Sequence, residues 1–108
     1  MKIINLGRGK GKTTRLLYAS EFNEAPILCA THQQKQYLVD MAKELSLNIP
    51  EPIQVGEIYK RSNIIDKDIL VDEAPIVLEM LLRNIGMRGE VKAITLTSNG
   101  LNELKQGF

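Results

Sequence analysis

Hydrophobic positions along the chain form two patterns: short, almost fully apolar runs, and longer stretches with apolar side chains at helical spacing. The short runs, which we predict to be strands, lie at 2–6, 26–30, 53–55, 69–71 and 91–96. The longer stretches predict helices over 12–22, 32–45 and 75–85. Almost fully apolar strands are typical of a parallel sheet with helices on both faces. Their alternation with helices therefore predicts a small three-layer α/β domain with a mostly parallel sheet of four to five strands.

Three residues mark the ends of the predicted helices. Thr31 is a suitable N-cap for the second helix, Pro75 fits the first turn of the third, and Gly86 fits the end of the third. The inward faces of the first two helices are predicted to contain Leu16, Leu17, Ala19, Ser20, Tyr37, Leu38, Met41, Ala42 and Leu45.

Length and composition limit the kind of protein this is. The 108 residues predict one domain over 1–108. Every apolar run is far shorter than the roughly 20 residues that cross a bilayer, and the N-terminal run is too short for a signal peptide. Cys29 is the only cysteine, which excludes an internal disulfide and a zinc site built from cysteines. We expect a soluble, intracellular domain without membrane contact.

The charge of the chain is nearly balanced, with 14 basic and 13 acidic side chains and a net charge of +1. This balance excludes a polybasic arm as the main means of binding nucleic acid. DNA contact would need a local basic patch, for which the candidates are Lys10, Arg15, Lys35, Lys60, Arg61 and Lys67. Scattered, solvated side chains explain the same residues equally well.

The strongest chemical signal lies between the first predicted strand and the first predicted helix. Residues 6–14 read Leu-Gly-Arg-Gly-Lys-Gly-Lys-Thr-Thr. Glycines let several backbone N–H groups point toward one anion, and the start of the following helix also favours negative charge. This is the order of a Walker A loop, whose lysine reaches the β- and γ-phosphates and whose hydroxyl binds Mg²⁺. The predicted nucleotide-binding residues are Gly7, Gly9, Lys10, Gly11, Lys12, Thr13 and Thr14.

One position departs from the strict Walker A spacing. The first glycine of that pattern would fall at Leu6, whereas Gly7 comes one residue late. The alternative is a basic, glycine-rich turn that holds a sulfate-like anion or nothing. We favour phosphate binding because the loop lies between a strand and a helix at the appropriate offset.

A second signal is the acidic end of the fourth apolar run. Residues 68–73 read Asp-Ile-Leu-Val-Asp-Glu, the pattern of a Walker B strand. Asp72 is predicted to hold Mg²⁺ through water, opposite the Thr13 hydroxyl. Glu73 is predicted to polarise the water that attacks the γ-phosphate. A solvated strand end is the alternative interpretation.

Segments 7–14 and 69–73 resemble the additional-strand P-loop ATPases, which include helicases of superfamilies one and two, RecA-like motors and phage terminase large subunits. The glycine loop is most similar to that of terminases, and by this resemblance Arg8 is a candidate arginine finger acting in cis. In architecture the resemblance covers residues 2–99, but the chain is too short for a complete terminase or helicase. A compact chain with this loop also resembles small phage or prophage P-loop proteins.

This resemblance implies a Mg²⁺-dependent enzyme that hydrolyses ATP (or GTP), with Lys12 and Glu73 as catalytic residues. The missing guanine-binding Asn-Lys-x-Asp element favours ATP. In this class the polar group that ends the extra strand senses the γ-phosphate, which makes Thr97, Ser98 and Asn99 candidates, although a turn before a glycine explains them equally well. The implied setting is a bacterial or phage-infected cytoplasm, in DNA replication, recombination or packaging, with a homo-oligomer or a larger protein partner.

Two other functions stay open. One alternative is a nucleotide-gated adaptor that hydrolyses little nucleotide. Segment 11–17 and the later Asp72-Glu73-Ala74 also resemble zinc-bearing thymidine kinases, which would imply a nucleoside kinase. That family holds zinc between paired cysteines, whereas this chain has Cys29 alone, and an aromatic-rich base pocket is also missing. The kinase interpretation is therefore second to the ATPase.

Overall fold

The computed structural model describes residue 1 and residues 3–4, 11–60 and 68–95. Within these ranges the chain forms three α-helices, three short strands and one 3₁₀ helix. In chain order they are α1 (Lys12–Asn23), β1 (Ile27–Cys29), α2 (His32–Glu44), β2 (Ile53–Gln54), the 3₁₀ helix (Val55–Lys60), β3 (Leu70–Val71) and α3 (Ala74–Asn84). The bounds of the α-helices and strands agree with the predicted ones to within one residue.

The three strands form a parallel sheet in the order β2-β1-β3. Leu28 of the central strand pairs with Ile53 on one side and with Val71 on the other. The N–H of Asp72 donates to the Leu28 carbonyl at 3.0 Å, just past the end of β3. Because the strands are parallel, the segments that follow them meet at one edge of the sheet, which we call the carboxyl edge.

Helices cover both faces of the sheet. Successive side chains of a strand point to opposite faces, so these apolar strands present side chains that must be buried on each face. One face is covered by α1 and α2, and its buried residues are Leu16, Leu17, Ile27, Cys29, Leu38 and Ala42. The other face is covered by α3 and the 3₁₀ helix, and its buried residues are Leu28, Ala30, Ile53, Val55 and Val77. The described ranges thus form a compact α/β fold with three layers, as the sequence predicts.

Thr31 is the N-cap of α2, as predicted. Its Oγ1 accepts a hydrogen bond from the Gln34 N–H at 3.2 Å, while Oε1 of Gln34 accepts one from the Ala30 N–H at 3.1 Å. This reciprocal arrangement is close to a capping box. It fixes the point at which the chain leaves β1 and begins α2 at the carboxyl edge.

Two of the five predicted strands are not formed by the described residues. Ile3 and Ile4 carry no strand, and neither do residues 91–95. The Val91 N–H donates to Oε2 of Glu79 at 3.2 Å, so a side chain satisfies that donor instead of a neighbouring strand. The remaining positions of the two predicted strands, 2, 5, 6 and 96, lie outside the described residues.

The predicted inward faces are confirmed for α1 and only in part for α2. All four predicted residues of α1 are buried. In α2, Leu38 and Ala42 are buried and Met41 packs beside them, whereas Tyr37 is 54% exposed and Leu45 is 36% exposed. Strands of two and three residues offer a narrow surface, so α2 buries only the middle of its apolar stripe.

Candidate functional site

The start of α1 and the acidic end of β3 lie together at the carboxyl edge of the sheet. Lys12 is the first residue of α1, and Asp72 and Glu73 follow β3 directly. Nζ of Lys12 lies 3.0 Å from Oε1 of Glu73, although the two residues are 61 positions apart along the chain. The fold therefore brings the lysine of the first sequence signal to the second signal.

The Lys12–Glu73 ion pair is accessible from solvent. The Lys12 side chain is 32% exposed and the Glu73 side chain 39%. Ion pairs with this degree of exposure contribute at most about 1 kcal/mol to stability, because water and salt screen them. A strongly anionic ligand can therefore reach Lys12 and compete with Glu73 for it.

Gly11 sets the direction in which the chain enters α1. It has a left-handed backbone conformation, with φ 79° and ψ 21°, which glycine adopts without steric cost. Its carbonyl accepts the first helical hydrogen bond from the Arg15 N–H, at 3.0 Å. The first N–H groups of a helix have no partner within it, and a glycine N-cap supplies no side chain for them. The start of α1 thus offers backbone donors to an anion.

Thr13 and Asp72 are the predicted Mg²⁺ ligands, and both are half-buried. Their hydroxyl and carboxylate oxygens are the hard donors that Mg²⁺ prefers, and phosphates and waters usually complete its shell. Within the described ranges, no group of three or more His, Cys, Asp or Glu side chains could hold a metal ion by itself. By its chemistry, this pair of oxygen donors would suit Mg²⁺ only if phosphates and waters supplied the remaining ligands.

The charge of Asp72 is unfavourable in the folded chain. Burial raises the pKa of Asp72 above its ordinary value of 3.8, and the neighbouring Glu73 charge raises this pKa further, while the Lys12 ammonium acts in the opposite direction. A divalent cation beside Asp72 would offset both unfavourable effects.

Replacing Asp72 with asparagine is expected to stabilise the ligand-free chain at neutral pH. A carboxyl group whose pKa is raised by folding adds most to the unfolding free energy when the pH is below its unfolded pKa. This stabilisation is lost as the pH rises through the folded pKa. The increase in unfolding free energy caused by Asp72→Asn should thus be largest at pH 7 and should shrink as the pH falls toward 3.8. Urea unfolding of both proteins across this range measures it.

The exposed Asp68 provides the matched control for that comparison. Asp68→Asn removes the same charge two residues before β3 and should change the unfolding free energy little, because the side chain is exposed. If Asp72→Asn destabilises the chain at pH 7, the Asp72 carboxylate has a stabilising partner, and the unfavourable burial inferred above is wrong.

Glu73 has a strained backbone. Its φ of 55° and ψ of 61° lie in the left-handed region, which costs a residue with a side chain about 1–2 kcal/mol. Glu73 is also the N-cap of α3, yet its side chain makes no capping hydrogen bond and contacts Lys12 instead. Strain of this kind is often found at functional sites, but Glu24 and Ser46 have similar φ values. The contact with Lys12 is therefore what distinguishes Glu73.

The strain at Glu73 predicts an unusual order of stability for two substitutions. Glu73→Ala and Glu73→Gly both remove the ion pair, but only alanine keeps the left-handed strain. We expect the glycine variant to be more stable by about 1 kcal/mol. In a helix interior alanine is instead more stable than glycine. Ala19→Gly, within α1, is therefore a suitable reference. Urea unfolding compares the variants, and a more stable Glu73→Ala would contradict the assigned backbone conformation.

Lys35 belongs to a second charged cluster, which the sequence did not predict. Its Nζ lies 2.9 Å from Oε1 of Glu57 and 3.0 Å from Oε1 of Glu51. Burial alone would lower the pKa of Lys35, but the hydrogen bonds to these two glutamates raise it. Only 14% of the Lys35 side chain is exposed. Lys35 therefore ties α2 to the segment around β2 and is not an open member of a basic patch.

Cys29 lies buried inside β1, as predicted. Burial, followed by the charge of Asp72, raises the pKa of the Cys29 thiol to about 11. Its Sγ donates to the Ile53 carbonyl at 3.5 Å. A raised pKa disfavours the reactive thiolate, and Cys29 packs within the core cluster beside Leu38 and Ala42.

Several predicted site residues lie outside the described residues. In the glycine loop these are Gly7, Arg8, Gly9 and Lys10, and at the end of the last predicted strand they are Thr97, Ser98 and Asn99. Of the predicted basic patch, Arg61 and Lys67 also lie outside. The roles assigned to these residues stay predictions.

Comparison of the chain with protein-family models, with curated proteins and with solved structures finds no match. In the part of the chain that the structure describes, no helix is long and apolar enough to cross a membrane. A function is therefore inferred from the residues of this chain alone.

Proposed function

We propose that the chain is a Mg²⁺-dependent ATP-binding protein that hydrolyses ATP to ADP and phosphate. The observation that carries this proposal is the 3.0 Å contact between Lys12 and Glu73. This contact joins the lysine of a Walker A pattern to the carboxylate that ends a Walker B pattern. It lies at the carboxyl edge of a parallel sheet, where open α/β sheets bind their ligands.

Lys12 and the start of α1 are the proposed phosphate-binding groups. The Lys12 ammonium neutralises charge on the β- and γ-phosphate oxygens, and the backbone N–H groups after Gly11 donate hydrogen bonds to them. In the proposal, the residues of 7–10 complete this loop. Thr13 and Asp72 would hold Mg²⁺, which neutralises charge that develops on the phosphates.

Glu73 is the proposed residue that activates water. Its carboxylate lies within hydrogen-bond distance of Lys12, and so beside the proposed position of the γ-phosphate. Near this position it can accept a hydrogen bond from water and direct the oxygen toward phosphorus. Phosphoryl transfer depends mainly on positioning and electrostatics. This small set of groups therefore includes the types of side chain that the reaction requires.

The proposal extends to the rest of the fold and to partners. We propose that the fold is of the P-loop type, with the three-stranded parallel sheet of the described residues at its centre. A single small domain has little surface to cover the γ-phosphate, so an oligomer or a larger protein partner is expected to complete the site. An arginine supplied in trans raises the rate of P-loop GTPases by about 10³–10⁵, and Arg8 is the candidate for the same role in cis.

The test is ATP·Mg²⁺ binding and hydrolysis by the purified chain, with and without single-stranded and duplex DNA. Hydrolysis supports the proposal, and stimulation by DNA would support a role in DNA replication, recombination or packaging. Binding without hydrolysis would favour the nucleotide-gated adaptor. Absence of ATP binding would overturn the proposal.

A further inference from the structure

The proposed phosphate-binding lysine has an anionic partner in the structure. Lys12 donates a hydrogen bond from Nζ to Oε1 of Glu73 at 3.0 Å. A phosphate oxygen that approaches Nζ to a similar distance also approaches the Glu73 carboxylate. Like charges at such separations repel, so the phosphate and the carboxylate cannot both stay close to Lys12 without cost.

The backbone of Glu73 is held in place while its side chain remains partly exposed. The Glu73 carbonyl accepts hydrogen bonds from the N–H groups of Ile76 and Val77, at 3.0 and 3.1 Å. Val77 is buried against the sheet, which anchors the first turn of α3. The Glu73 side chain is 39% exposed, so it can leave Lys12 by rotating about its own bonds, without movement of the backbone.

We propose that the Lys12–Glu73 ion pair is a latch that phosphates must open. This inference rests on the proposed ATP binding and adds a regulatory step at the same site. Before a polyphosphate binds, the Glu73 carboxylate contacts Lys12, as in the structure. When a polyphosphate binds Lys12, the carboxylate is displaced and becomes free to accept a hydrogen bond from water. Ligand binding and preparation for hydrolysis are then a single event.

The latch discriminates between ligands by the number of their phosphates. A Walker A lysine reaches the β- and γ-phosphates, so ADP and ATP compete with Glu73 for Lys12. AMP carries only the α-phosphate, which does not reach the lysine. Removing the Glu73 carboxylate should therefore improve the binding of ADP and ATP without improving that of AMP.

The experiment compares the affinities of the full chain, Glu73→Gln and Glu90→Gln for AMP, ADP and ATP in the presence of Mg²⁺, by titration calorimetry. Glu73→Gln should bind ADP and ATP about 3- to 5-fold more tightly, the size expected for a partly exposed ion pair, and AMP no more tightly. Glu90 is the control because it forms an exposed ion pair with Lys92, at 2.7 Å. Glu90→Gln removes the same charge and should match the unmodified chain.

The outcomes separate the latch from the proposed function. If the unmodified chain binds ATP and Glu73→Gln binds it no more tightly, the latch is overturned and the proposed function stands. An equal gain for AMP also overturns the latch, because it indicates a long-range charge effect. If neither protein binds ATP, the proposed function is overturned and the latch with it. Glu73→Gly, which suits the left-handed backbone, repeats the test should Glu73→Gln fold poorly.

Discussion

Replacing Lys12 with alanine is expected to weaken ATP·Mg²⁺ binding by about 10–100-fold, because a hydrogen bond between charged groups contributes roughly 1.5–3 kcal/mol. Hydrolysis should fall further, by about 10²–10³, since the lysine also opposes charge that builds up in the transition state. The fold should be almost unaffected, because the ion pair that is lost is about a third exposed and contributes at most about 1 kcal/mol. Calorimetric titration with ATP, phosphate release and urea unfolding measure the three effects.

Lys92 provides the matched control for this substitution. It also forms an ion pair with a glutamate, at 2.7 Å, but its side chain is 84% exposed. Lys92→Ala removes the same charge and should leave ATP binding and hydrolysis unchanged. If Lys12→Ala binds ATP as tightly as the unmodified chain, Lys12 is not a phosphate-binding residue and the proposed function loses its main support.

The helices were predictable because local signals and the apolar pattern agreed at their ends. Thr31 illustrates this, since its side chain caps α2 at the residue where the apolar spacing of that helix begins. Strands depend on neighbours that are distant in sequence, and apolar runs do not identify those neighbours. At Val91 the pattern predicts a strand, yet the Val91 N–H donates its hydrogen bond to the side chain of Glu79. The spacing of residues along the chain does not predict this contact.

The candidate site was predictable as two motifs but not as a contact between them. The sequence assigned Lys12 to phosphate and Glu73 to water, which describes a site with its ligand bound. In the structure the two opposite charges, brought to one edge of the sheet, pair with each other. The strained backbone of Glu73 was also beyond prediction, because glutamate is not a residue that favours the left-handed region.

The buried position of Lys35 shows a further limit of sequence reasoning. A lysine in a polar stretch is ordinarily solvated, and its glutamate partners lie 16 and 22 positions away, at Glu51 and Glu57. One local signal was present: Oε1 of Glu57 accepts the N–H of Gln54 at 3.0 Å, the three-residue spacing of a cap. This cap fixes the position of Glu57, but the packing of α2 places Lys35 beside it. The cluster therefore depends on the tertiary fold.

Replacing Glu73 with glutamine is expected to abolish most ATP hydrolysis while ATP binding persists. Loss of a positioned general base lowers a rate by about 10²–10⁴-fold, because an amide oxygen is a far weaker proton acceptor than a carboxylate. The amide keeps the size of the side chain, so the start of α3 should remain intact. Phosphate release under saturating ATP·Mg²⁺ measures the rate, and titration with ATP measures binding.

Glu90→Gln separates the role of Glu73 from a general effect of charge, since the Glu90 carboxylate is exposed and forms an ion pair with the nearby Lys92. It should hydrolyse ATP at the rate of the unmodified chain. A Glu73→Gln variant that retains the full rate would show that another group activates water, and Glu73 would then act on Lys12 alone. A variant that loses binding and hydrolysis together would instead make Glu73 part of the binding site, because removing a residue that acts in the chemical step does not by itself weaken binding.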